Sequence, residues 1–185
     1  EGQQRIDSLL TELPKLKADS LKVKTLNDLS YGYQNIDPIA GQKHANEALK
    51  ISQQIKWNDG IAEAYRCLGM NYSANSDYQK GLFYYGKALK STSNKKILSK
   101  VLRNIGLIYT YQNDYKNAMD YDLQALKMSE ETGDKKGIAA VLSNIGIIYF
   151  DLNNFQKAIE HYEKARKINE KMGNNSYLAR NLGNL

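Results

Sequence analysis

Three arginines recur at one position of a repeated motif, and their side chains are suited to binding carboxylates. The motif is centred on a glycine (Gly69, Gly106, Gly146 or Gly183), and the residue three before it is arginine in three of these four copies. A guanidinium group can donate two parallel hydrogen bonds to one carboxylate. The residue two before the glycine is asparagine in three copies, and a carboxamide can both donate to and accept from a peptide backbone. The residues concerned are Arg66, Arg103, Arg180, Asn104, Asn144 and Asn181.

The motif itself predicts the elements that hold these side chains. Residues 143–149 read SNIGIIY, and residues 103–109 read RNIGLIY, 40 residues earlier. A weaker copy, RCLGMNY, lies another 37 residues earlier at 66–72, residues 27–33 are a degenerate copy, and a further copy begins at residue 180. Self-similarity at such a period indicates an array of helical repeats, each of which buries its apolar face against its neighbours.

Each repeat is predicted to contain two helices and no strand. Four polar residues suited to capping a helix, Asp37, Asp77, Asp114 and Asn154, precede the second helix of each pair. Asp19 or Ser20 can cap the first repeat helix, and Pro14 is expected to kink or end a helix before it. The predicted organisation is an N-terminal capping helix over 1–19, repeats over 20–59, 60–95, 96–135 and 136–175, and the first helix of a truncated repeat over 176–185.

The fourth repeat resembles the tetratricopeptide repeat. Its spacing L-x2-I-G-x2-Y over 142–149, followed by A-x3-Y-x2-A over 158–165, matches the family pattern. The chain departs from that pattern at Asp122, where an aromatic residue is expected, at Gly81 in place of alanine, and at Ser30 in place of the repeat glycine. The period exceeds the usual 34 or so residues, as in the kinesin-light-chain-like subgroup. Over residues 20–185 the resemblance implies an all-α, right-handed superhelical solenoid of antiparallel helix pairs.

The resemblance also implies a binding surface, because the first helix of each pair lines the concave side of such a solenoid. Residues six before, three before and one after the repeat glycine share a face opposite the packing stripe. With the neighbouring asparagines they imply a groove for an extended or helical peptide that carries acidic groups. We call the following set the groove residues: Asn27, Tyr31, Arg66, Met70, Lys100, Arg103, Asn104, Leu107, Tyr111, Ser143, Asn144, Ile147, Tyr177, Arg180 and Asn181.

Two alternatives to ligand contact remain open for these side chains. An asparagine at this register can pair with an adjacent helix instead, and a long arginine can lie solvated along the groove. Ser143 also interrupts the row of arginines in the fourth repeat.

Composition and motifs argue against several other functions. The net charge of +6 comes with lysines spread along most helices, so nucleic-acid binding is not predicted. No apolar run approaches the ~20 residues that cross a bilayer, so no membrane insertion by this segment is expected. His44 and His161 share the register of Tyr84 and Tyr121 and are interpreted as packing residues; no metal site or cofactor is predicted. No phosphate-binding loop or catalytic triad is recognisable, and the buried-helix setting of Cys67 predicts an inert thiol, so this chain is not expected to be an enzyme.

Both ends of the sequence suggest a longer protein. Residue 1 is Glu, and residue 185 lies within a repeat motif. The style of the sequence resembles that of the repeat regions of Bacteroidetes-type sensor histidine kinases. This resemblance implies that the chain is the sensory region of a signalling protein in the extracytoplasmic (periplasmic) space. The alternatives are a free-standing cytosolic adaptor or scaffold and a regulatory subunit that clamps a partner. An open last helix, with Leu178 and Leu182 uncovered, would allow self-association.

Overall fold

The computed structural model describes residues 2–173 and divides into two compact units, Glu1–Ile97 (unit 1) and Leu98–Leu185 (unit 2). Within the described residues all regular structure is helical, so the predicted all-α repeat fold is confirmed. The helices are α1 (Gly2–Glu12), α2 (Ser20–Tyr33), α3 (Pro38–Gln54), α4 (Asn58–Ala74), α5 (Tyr78–Ser91), α6 (Lys95–Tyr111), α7 (Tyr115–Glu131), α8 (Lys135–Asp151) and α9 (Phe155–Lys171).

Capping side chains fix where the helices begin. Asp19, rather than Ser20, caps α2 by accepting from the backbone N–H groups of Leu21 and Lys22. Pro14 lies in a short 3₁₀ turn, Leu13–Lys15, that ends the first helical segment. The predicted caps of the second helices are confirmed, since each accepts a backbone N–H from the first turn of its helix; they are Asp37, Asp77, Asp114 and Asn154.

The length of the second helix explains the uneven period of the motif. Helix α5 has 14 residues, whereas α7 has 17. The difference of three equals the difference between the glycine spacings of 37 and 40. The turns themselves keep one geometry, with a residue in the left-handed region after most helices: Lys56 (φ 53°), Ser76 (61°), Asn113 (59°), Gly133 (64°), Asn153 (58°) and Gly173 (66°).

The repeat glycines allow a second-helix side chain to approach the first helix closely. A Cβ on Gly69 would lie 2.4 Å from Cε1 of Tyr85, and one on Gly146 would lie 2.6 Å from Cε1 of Tyr162. The glycines therefore leave room for the tyrosine rings to pack against the first helix. This packing offsets the ~1 kcal/mol that glycine costs inside a helix.

Ring stacking joins the two helices of every pair. Tyr72 stacks on Tyr84 with ring centroids 5.2 Å apart, and Tyr109 stacks on Tyr121 at 5.5 Å. In the other two repeats histidine replaces the second tyrosine, as Tyr33–His44 at 5.5 Å and Tyr149–His161 at 5.4 Å. Burial lowers the pKa of both imidazoles. The interpretation of the histidines as packing residues is confirmed.

The first repeat replaces the glycine contact with a polar one. Ser30 stands at the glycine position, and its hydroxyl accepts a 2.9 Å hydrogen bond from Nδ2 of the buried Asn71. The same nitrogen donates to the Cys67 carbonyl over 2.8 Å. Gly41 must be small because a Cβ there would lie 2.0 Å from the Asn71 side-chain oxygen. The two helices of the degenerate repeat therefore pack through a hydrogen-bonded asparagine, rather than through a tyrosine ring that lies against a repeat glycine.

Candidate ligand-binding site

In unit 1 the groove residues belong to α2 and α4. Tyr31 is 53% exposed and lines a depression of about 230 Å³ between α1 and α2, together with Arg5 and Asp28. Asn27 is half-buried, and its side-chain oxygen has no hydrogen-bond partner within residues 2–173. Met70 is buried. Of these three, Tyr31 offers the largest accessible surface to a ligand.

Arg66 in unit 1 is engaged by its own helix. Its Nε lies 2.5 Å from Oε2 of Glu63, and its side chain is only 11% exposed. Burial lowers the pKa of Arg66, but Glu63, Cys67 and Tyr85 together raise it above its ordinary value. Its guanidinium also donates to Sδ of Met70. Arg66 therefore remains charged, but the Glu63 carboxylate beside it weakens the positive electrostatic potential that Arg66 produces outside the helix.

In unit 2, α6 and α8 place three pairs of groove residues at matching positions. The pairs are Arg103 with Ser143, Asn104 with Asn144, and Leu107 with Ile147. The first and third pairs are half-buried, whereas both asparagines are 9% exposed. The Ser143 hydroxyl donates to the Ala139 carbonyl of its own helix over 3.0 Å. Lys100 is half-buried and Tyr111 is exposed, both on α6.

The two asparagines of unit 2 differ in their hydrogen bonding. Nδ2 of Asn144 donates to Oδ1 of Asp122 on α7 over 3.4 Å. The alternative in which asparagine pairs with an adjacent helix therefore holds for Asn144. Nδ2 of Asn104 is buried without a hydrogen-bond partner among the described residues.

Asp122 is a polar group at this site that the sequence alone did not assign to it. It is completely buried, and a Cβ on Gly106 would lie 2.9 Å from its Oδ1. Burial raises the pKa of Asp122 to about 7, against the lowering effects of the Asn144 hydrogen bond and the Arg103 charge. The sequence did contain one sign of this buried carboxyl, because the aspartate occupies a position where the second and fourth repeats carry Tyr85 and Tyr162.

Comparison with known proteins agrees with the repeat geometry. The sequence model of the tetratricopeptide repeat matches residues 97–171. A protein of Guillardia theta described as an uncharacterised protein, ycf37, is 40% identical over 68 residues, which are 37% of this chain and 36% of that protein. Residues 97–171 are tetratricopeptide repeats.

Solved structures share the fold of these tetratricopeptide repeats at low sequence identity. A Rap protein complexed with Competence and Sporulation Factor superposes with a TM-score of 0.82 at 18% identity, over 97% of this chain and 53% of that one. A Podospora anserina protein described as a kinesin light chain with nearly identical TPR-like repeats gives 0.59 at 14% identity, over 93% and 88%. A signal transduction ATPase of Pyrococcus horikoshii with a tetratricopeptide repeat sensor gives 0.67 at 18% identity, over 95% and 28%. The chain thus spans about half of the Rap protein and about a third of the curated relative.

Three predictions are left: the last groove residues, the absence of a metal site and the absence of membrane insertion. Three groove residues, Tyr177, Arg180 and Asn181, lie outside the described residues. Residues 2–173 contain no group of three or more His, Cys, Asp or Glu side chains placed to hold a metal ion. Over the same range no helix has both the length and the apolar character needed to span a membrane.

Proposed function

We propose that these repeats bind a protein or peptide partner along their first helices, as the sensory or interaction region of a longer bacterial signalling protein. The observation that carries the proposal is the matched arrangement in unit 2, where Arg103, Leu107, Ser143 and Ile147 are half-buried at equivalent positions of α6 and α8. A regular row of partly exposed side chains on rigid helices is a preformed surface for an extended partner, and preformed surfaces lose little entropy on binding.

Two of the structural relatives support the two parts of this proposal. The Rap protein was crystallised with Competence and Sporulation Factor, which is a precedent for partner binding by this fold. The Pyrococcus horikoshii protein has a tetratricopeptide repeat sensor within a much longer chain. Because identity to both is 18%, they supply an analogy for the role of this chain rather than the identity of its ligand.

The charges favour a partner with acidic groups. The chain has a net charge of +6. Lys100 and Arg103 both lie on α6, where their positive charges would act on the same ligand segment. Arg66 is also positively charged, and Glu63 compensates its charge at 2.5 Å. Charge-assisted hydrogen bonds from a guanidinium to a carboxylate are the strongest polar contacts that such a surface can offer.

The experiment is a screen of residues 1–185 against a positional-scanning library of blocked hexapeptides, read by fluorescence anisotropy. We expect the tightest mixtures to contain Asp or Glu. Arg103→Glu should weaken their binding at least about tenfold, because a charge-assisted hydrogen bond contributes about 1.5–3 kcal/mol. Lys116→Glu, which makes the same change of charge at an exposed site on α7, is the matched control and should leave the affinity within about twofold.

Two results would contradict the proposal in different ways. Binding by no mixture would remove the peptide-binding role of this segment. Preference for Lys or Arg mixtures, or an equal loss of affinity in the Arg103 and Lys116 variants, would keep a binding role but remove the acidic ligand and its contact with Arg103. Circular dichroism of both variants establishes that their helical content is unchanged.

A further inference from the structure

Asp122 differs from its counterparts in the neighbouring repeats in both size and charge. Tyr85 and Tyr162 cover the repeat glycines of the second and fourth repeats, whereas Asp122 is the residue that lies against Gly106. The substitution puts a carboxyl group, completely buried, where the second and fourth repeats bury a ring. Because an ionised group is costly to bury, such a carboxyl must be hydrogen-bonded or neutral.

Asn144 is the hydrogen-bond partner through which this carboxyl reaches a groove residue. Its Nδ2 donates to Oδ1 of Asp122, while Oδ2 of Asp122 has no partner within residues 2–173. An ionised carboxylate can only accept hydrogen bonds, so the carboxamide of Asn144 must turn its NH₂ group toward Asp122. The oxygen of the carboxamide is then the atom left for other partners.

We propose that Asp122 is a positioning residue, which holds the Asn144 carboxamide so that its oxygen accepts a hydrogen bond from an N–H group of a bound peptide. The inference rests on the proposed function and adds the chemistry of one contact: the ligand supplies a donor at this point. A protonated Asp122 can donate to the carboxamide oxygen, so the carboxamide can turn over and present its NH₂ group instead. The hydrogen-bonding preference of the groove at Asn144 then depends on the protonation of a residue that the ligand does not touch.

The groups around Asp122 place this change in the neutral pH range. From α6 the facing charge is Arg103, which favours the ionised form, and from α8 the facing side chain is the uncharged Asn144. Gly106 of α6 brings no side chain to the carboxyl. Burial outweighs the Arg103 charge and the Asn144 hydrogen bond, and the resulting pKa of about 7 means that both forms of Asp122 are populated near neutrality.

The first test needs no ligand. The side-chain NH₂ signals of Asn144 and the carboxyl carbon signal of Asp122 are followed by NMR from about pH 5 to about pH 9 in residues 1–185. We expect both to titrate together with a midpoint near pH 7, and the Asn144 signals to lose this titration in Asp122→Asn. The control Asp120→Asn, exposed on the same helix, should leave the titration in place. Asn144 signals that do not change with pH would overturn the inference.

The second test measures binding of the tightest mixture from the blocked hexapeptide library, prepared without histidine so that the ligand itself does not titrate. We expect the affinity of the wild-type protein to change about tenfold between about pH 6 and pH 8, the typical effect of reversing one hydrogen bond. Asp122→Asn keeps an acceptor for Asn144 and should bind without this pH dependence. Asp122→Leu removes the acceptor and should bind more weakly at both pH values.

The outcomes separate this inference from the function on which it rests. Equal pH dependence in the wild type and in Asp122→Asn would overturn the positioning role while leaving peptide binding intact. If no peptide binds, the proposed function fails and the ligand contact of Asn144 fails with it, whereas the NMR titration still decides whether Asp122 orients the carboxamide. A role in packing alone would change the stability of the variants without changing the affinity of the folded protein.

Discussion

Replacing the Asp122 carboxyl by a neutral amide should remove a pH-dependent loss of stability. Burial raises the pKa of Asp122 from 3.8 to about 7, so between these values the folded protein keeps a proton that the unfolded chain has released. The stabilising contribution is therefore complete below about pH 3.8, declines as the pH rises, and is lost above about pH 7. Asp122→Asn has no such proton, so its free energy of unfolding should not decline over this window on account of residue 122.

The size of the effect follows from the same two pKa values. They differ by about 3, and each pH unit corresponds to ~1.4 kcal/mol, so the loss is at most about 4 kcal/mol. At about pH 4 the two proteins should agree within about 1 kcal/mol, because both side chains are then mostly neutral and similar in size. At about pH 8 the Asn variant should be the more stable by several kcal/mol.

The assay is urea denaturation followed by far-UV circular dichroism at several pH values from about 4 to 9. Amide hydrogen exchange of α7 and α8 then shows whether the change arises around the Asp122–Asn144 contact. Asp120→Asn removes an exposed carboxyl from the same helix and should follow the wild-type curve. Parallel curves for Asp122→Asn and the wild type would refute the reasoning, because they would mean that the carboxyl is not desolvated in the folded protein.

Three further predictions concern packing and backbone conformation. Gly69→Ala should lower the free energy of unfolding by about 1–3 kcal/mol despite its better helix propensity, because its Cβ would lie 2.4 Å from Tyr85, and thermal denaturation measures this. The Cys67 thiol, buried and with a pKa raised by that burial to about 11, should react with an aromatic disulfide reagent near neutral pH only after unfolding in urea. Lys56→Gly should raise the denaturation midpoint through a gain of about 1 kcal/mol, because Lys56 has a φ of 53°.

Matched variants isolate the cause for the Gly69 and Lys56 substitutions. Gly86→Ala lies in α5 with nothing within 4 Å of the added Cβ and should stabilise the protein by about 1 kcal/mol; destabilisation there would mean that the Gly69 result is not due to Tyr85. Lys50→Gly, within α3, should destabilise by about as much as Lys56→Gly stabilises. Rapid modification of Cys67 in the native protein would show that the interior of unit 1 opens readily.

Local sequence was sufficient for the helices and for their pairing. Caps such as Asp37 and Asn154 act on backbone groups within three residues, so their effect can be read directly from the sequence. The fold was predictable because the same residue types pack at the same positions in successive repeats. The substitution of His44 and His161 into the tyrosine stacks could be inferred for the same reason, since register within a repeat predicts the partner.

The state of the candidate binding residues was decided by tertiary structure. Arg66 pairs with Glu63 of its own helix at 2.5 Å, but its side chain is only 11% exposed because neighbouring helices pack against α4. Asn144 meets Asp122 on a neighbouring helix, 22 residues away in the sequence. Burial and the ionisation of Asp122 depend on the summed packing of three helices, which no single segment encodes. The sequence by itself therefore determined the repeat fold and the positions of its side chains, while the contacts between helices decided which of those side chains are charged, paired or accessible.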